Sequence, residues 1–139
     1  MGRLILGIFL GMVAAVATIL VVELAAYFLY SPPDGLDMDS HEQMGAYIMG
    51  MPSGAHALVA FAWFAGAADG GLVAALVSRR HWTIWLIAAL VIAAGLYNIL
   101  TYSHPLLLQF AALLAPLLGG FVASLVDRKR FAAGQGSTG

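Results

Sequence analysis

Apolar residues run nearly unbroken through four stretches of the chain, roughly 4–30, 55–78, 82–102 and 105–126, and polar residues collect between them and after the last. About 20 consecutive apolar residues, rising 1.5 Å each, suffice to cross some 30 Å of hydrocarbon. All four stretches meet that length. The predicted fold class is therefore all-α: an integral membrane four-helix bundle forming one domain over 1–131, with a Gly/Ser-rich flexible cytoplasmic tail over 132–139. One long loop and two short turns join the spans, which leaves no room for a soluble domain.

The long loop, 31–54, opens with Ser31-Pro32-Pro33-Asp34-Gly35, which stops a helix because proline lacks an N–H and glycine tolerates turn dihedrals. Its second half looks ordered. Asp39 followed three residues later by Glu42 resembles a capping box, and Met44, Tyr47, Ile48 and Met51 recur at helical spacing until Pro52-Ser53-Gly54. A short amphipathic helix lying on the outer membrane surface is expected there. Trp82 and Trp85 begin the third span, and Tyr27, Tyr30, Tyr97 and Tyr102 gather at the opposite boundary, as in the aromatic belts of membrane proteins. In the fourth span Ser103 is the expected N-cap, Pro105 suits the first turn and Pro116 is expected to kink the helix.

Two segments repeat. Residues 70–80 match residues 119–129 at seven of eleven positions, and Tyr30-Ser31-Pro32-Pro33 echoes Tyr102-Ser103-His104-Pro105. The pattern is that of two tandem helical hairpins in parallel orientation, an arrangement some transporters use.

Composition and charge add an orientation. Of 139 residues 62% are hydrophobic and 9% charged, with a mean hydropathy of +0.92, outside the range of roughly 45–50% apolar and 25% charged for soluble domains. Arg3 precedes the first span, Arg79 and Arg80 separate the second and third, and Arg128, Lys129 and Arg130 follow the fourth. The 31–54 loop carries Asp34, Asp37, Asp39 and Glu42 and no basic residue. The positive-inside bias places both termini in the cytoplasm and that loop outside, in a bacterial inner membrane, with the first span an uncleaved signal anchor. Absence of cysteine excludes disulfides, thiolate catalysis and iron–sulfur clusters.

A charged side chain inside hydrocarbon costs on the order of 3 kcal/mol, so intramembrane ionisable groups are functional candidates. Glu23 and Asp69 are the two carboxylates so placed, and no span contains Lys or Arg. Glu23 heads a candidate polar cluster with Tyr27, Asn98, His56 and His104, all in the outer half, able to hold a small polar ligand, relay protons or simply pin the helices together. Asp69 sits in Gly66-Ala67-Ala68-Asp69-Gly70-Gly71, within a small-xxx-small stripe made by Ala62, Gly66, Gly70 and Ala74 that lets another backbone approach. With Gly71, Gly119 and Gly120 these residues are the candidate helix-packing or interface positions, and Gly7 and Gly11 form a second stripe. Met38, His41 and Met44 form a Met-x-x-His-x-x-Met pattern whose thioethers and imidazole suit copper. The same methionines equally suit the packing of an amphipathic helix.

No phosphate loop, HExxH, dinucleotide fingerprint or deep histidine pair is present, so neither an enzyme nor a cofactor is expected, and no basic patch points to nucleic acid. The size and the lone glutamate of the first span resemble the small multidrug-resistance transporters, four-helix proteins that act as dimers around that residue. Those proteins hold the glutamate near mid-span, and their antiparallel members balance loop charge. Here Glu23 is displaced outward and all six basic residues share one side, so membership is not assigned. The expected function is a non-catalytic accessory or interaction subunit, partnered by the bilayer and by its own copies or another membrane protein. The alternatives are a solute or proton-linked transporter at Glu23 and, third, copper handling at the outer loop.

Overall fold

The structure is a computed structural model that describes the backbone of residues 1–135 and the side chains of 1–130. Among the described residues there are five helices and no strand: α1 (Gly2–Leu29), α2 (His41–Gly50), α3 (Ser53–Ser78), α4 (Thr83–Thr101) and α5 (Leu106–Gln135). α1, α3, α4 and α5 are each long and apolar enough to cross a membrane.

The boundaries follow local chemistry. α1 ends at the prolines of the loop. α5 runs past the expected end at Val126 because residues 127–133 contain neither Pro nor Gly to stop the helix once the apolar run ends, and it continues through Gly134 to Gln135. Residues 132–135, expected to begin the tail, continue α5, and 136–139 lie outside the described residues. The cap of α2 is Ser40, one residue later than expected: its Oγ accepts from the Gln43 N–H at 3.4 Å. Asp39 is taken up otherwise, its N–H donating to the Asp37 carboxylate, while Gln43 Oε1 accepts from the Asp37 N–H. α5 likewise begins without Ser103, since the Pro105 carbonyl accepts from Leu108 and Gln109.

α3 is the hub. It packs along α1 on one side and against α4 and α5 on the other, α4 also packs on α5, and α1 touches α4 only sparsely. The core around Trp63 consists mostly of small residues, Ala15, Ala67, Ala74, Ala88 and Ala112, with Ile87, Val91 and Leu108. Lipid tails are as apolar as leucine, so helices in a bilayer gain little from burial itself and associate through close van der Waals contact. Small residues provide it here. The large apolar side chains point outward, among them Phe9, Leu20, Phe28, Leu106 and Phe110.

Gly7 lies against Ser78, and His81 meets Asp127, so the start of α1, the α3–α4 turn and the far part of α5 share one end of the bundle. All six basic residues therefore fall at or beyond that end. The turn itself is knotted. Ser78 Oγ accepts from the Arg80 N–H and donates to Thr83 Oγ1, Thr83 in turn donates to the Arg80 carbonyl, and Arg79 adopts a left-handed φ of 56°.

Candidate functional site

At the other end α2 folds back over the bundle. Gly45 seats on Ser103, the His41 ring stacks on Tyr102 at 5.3 Å, the Tyr47 hydroxyl donates to the Tyr30 carbonyl, and Ile48 packs on the core. His56 Nε2 lies 2.8 Å from the Ile48 carbonyl. A carbonyl only accepts, so Nε2 carries the proton, and His56 is a second donor to a carbonyl at the C-terminus of α2 that also accepts from the Met51 N–H at 3.3 Å. Replacing His56 by alanine is expected to loosen α2 by about 1 kcal/mol. Faster amide exchange confined to residues 41–51 would report it.

Beneath α2 lies a cavity of about 140 Å³ lined by Glu23, Ile48, Met51, Val59, Trp63, Asn98, His104 and Leu108. A second, of about 210 Å³, shares Glu23, Trp63 and Asn98 with it and extends between α1 and α4 along Ile19, Val91 and Gly95. Glu23 and Asn98 are exposed in that gap, where the two helices barely touch. The space thus opens sideways, and polar groups occupy its outer part alone.

Of the five residues in the candidate cluster, Glu23, Asn98 and His104 come together around this space. Tyr27 does not: it is exposed, edge-on to Phe28. His56 is nearby but occupied with α2. His104 Nδ1 lies 2.7 Å from the Tyr102 carbonyl and must hold its proton there, leaving Nε2 as an acceptor in the neutral ring. With the Glu23 carboxylate, the Asn98 amide and the Trp63 indole face, the lining favours a guest that brings hydrogen-bond donors or positive charge. Trp63 was not legible as part of the site, because inside a span it reads as one more apolar residue.

The candidate packing glycines are all consumed within the chain. Gly66 and Gly70 of α3 face Ala15, Ile19 and Gly11 of α1; Gly71 faces Ile84, Gly119 the backbone of Phe64 and Ala68, and Gly120 faces Ala88 and Trp85. The stripe on α3 and the stripe on α1 are thus two halves of one seam. Gly70 meets α1 while its repeat counterpart Gly119 meets α3, whereas Gly71 and its counterpart Gly120 both meet α4.

Asp69 stands beside that seam, exposed, and its Oδ2 accepts from the Thr18 hydroxyl at 2.8 Å. At the basic end His81 Nδ1 meets Asp127 Oδ2 at 2.7 Å, with Asp127 2% exposed. That pair had one faint sequence signal, the alignment of Asp127 with the polar Ser78 in the repeat. Of Met38, His41 and Met44, His41 stacks on Tyr102 and the Met44 N–H donates to the Ser40 carbonyl; among the described residues no three of His, Cys, Asp or Glu cluster as a metal site. Comparison of the chain with protein-family models, with curated proteins and with solved structures finds no match.

Proposed function

We propose that this chain is a small membrane transporter that binds a small cationic or donor-rich solute, or a proton, at Glu23. The observation that carries this is the sharing of two adjoining cavities by Glu23, Asn98 and Trp63, with His104 at the outer one. A lone carboxylate among apolar walls is costly to keep unless something neutralises it, and a positively charged guest does so directly. The sideways opening between α1 and α4 and the lid formed by α2 give such a guest a route and a cover.

Both termini lie in the cytoplasm and the 31–54 loop outside, in a bacterial inner membrane. That orientation rests on the six-to-none distribution of basic residues between the two ends. α2 lies at the outer interface, and the two hairpins, α1–α3 and α4–α5, are copies of one unit. No chemistry on the solute is part of this function.

Proteoliposomes offered radiolabelled methylammonium test it. The intact chain is expected to take up the label at a rate that varies with pH, and Glu23→Gln to lower uptake at least tenfold. Unaltered flux in that variant, or uptake no faster than in empty liposomes, counts against the proposal.

A further inference from the structure

Asp69 lies nine residues from the end of α3 at Ser78, about 13 Å by the helical rise. With about 30 Å of hydrocarbon centred on this 26-residue helix, which is about 39 Å long, the carboxylate lies about 9 Å inside the layer. Its side chain is nevertheless exposed, on the outer side of the α1–α3 seam and apart from the residues that line the Glu23 cavities. Thr18 supplies one hydrogen bond. A hydroxyl does not neutralise a carboxylate, and among the described residues the one ion pair is His81 with Asp127. The short side chain of aspartate cannot reach the interface.

We infer that Asp69 and Thr18 form the docking point for a transmembrane helix of a different protein that carries a lysine or arginine at the same depth. Charge decides the occupant. A second copy of this chain has no basic residue inside any span, so in neither orientation does it bring a cation to the level of Asp69. The neighbourhood admits a third backbone: Ala65 precedes Asp69 by one turn of α3 and Ala14 precedes Thr18 by one turn of α1, all on partly open surface. The glycine stripe itself is covered by α1 and leaves this outer side of the seam as the accessible one. The surface is independent of the Glu23 cavity and stands or falls without it.

The test uses the full chain in phosphatidylcholine vesicles with a synthetic polyleucine transmembrane peptide bearing one lysine at the depth of Asp69. Association is read by energy transfer between labelled chain and labelled peptide. The lysine peptide is expected to associate at least tenfold more strongly than a lysine-free one. Asp69→Asn, which keeps an acceptor for Thr18, should bring association down to the lysine-free level, and Glu23→Gln should leave it unchanged. Equal association of the two peptides with the intact chain overturns the inference, whatever the variants do. So does full association retained by Asp69→Asn, or self-association of the chain that Asp69→Asn abolishes, which would give the surface to a second copy.

Discussion

Gly70→Leu is expected to separate α1 from α3 and to destabilise the fold by about 3 kcal/mol or more. A Cβ on Gly70 would stand 2.5 Å from the Gly11 carbonyl oxygen and 2.6 Å from the Ala15 Cβ. Both are too close for real atoms, and the first belongs to the backbone, which cannot step aside without moving the helix. Extra methylenes forced into a packed site cost about 1–3 kcal/mol even where side chains can yield. Here the obstacle is rigid and the added group is larger. Gly70→Ala, which adds that Cβ alone, should fall at the upper end of that range, and Gly2→Leu, with nothing within 4 Å of its Cβ, should be neutral. Denaturant titration in mild detergent, followed by circular dichroism, checks the order of the three. Equal stability of Gly70→Leu and the parent chain would mean that the seam is not the principal contact of α1.

Asp127→Ala is expected to cost about 1.5–3 kcal/mol, the loss of a hydrogen bond to a charged group together with the unpaired donor left behind. Asp127 is 2% exposed and His81 Nδ1 donates to it at 2.7 Å, so solvent cannot replace the acceptor on the aspartate's side. His81 is about a third exposed, which places the expectation at the lower part of the range. The consequence is local as well. Among the described residues His81 Nε2 is buried without a hydrogen-bond partner, so removing Asp127 strips the ring of its one hydrogen bond to them and loosens the α3–α4 turn from α5. Asp127→Asn keeps an acceptor and should retain more than half of the stability that alanine loses. The same denaturant titration, with amide exchange at residues 79–84, separates the two variants.

Long apolar runs leave little choice of local structure. In hydrocarbon every backbone N–H and C=O must be bonded within its own segment, so a run of that length has to be a helix, and the four spans and their approximate limits follow from composition alone. The misplaced boundaries are instructive. Ser40 rather than Asp39 caps α2: its Oγ takes the Gln43 N–H, while the Asp39 N–H donates to Asp37 and the Asp37 N–H to Gln43 Oε1, a choice between neighbouring cappers that spacing cannot arbitrate. α5 overruns its apolar segment because the polar residues after it favour helix just as well. Of the candidate site, Glu23, Asn98 and His104 could be proposed from depth along their spans, but Tyr27 could not be separated from them. Two residues four apart on one helix share a face only approximately, and the gap between α1 and α4 is narrow enough to admit one and leave the other outside.

The sequence on its own determined that this chain is helical, that four helices can span a membrane, and that its basic residues gather at one end, because hydropathy and charge act on each segment independently of its neighbours. Which helix faces which was settled only by packing. Gly66 and Gly70 could have served a partner as easily as α1, since a small-residue stripe specifies closeness and not identity. Their pairing with Gly11 and Ala15 closes that surface, leaves Asp69 on the outside of the seam, and turns Glu23 towards a space that no single span contains.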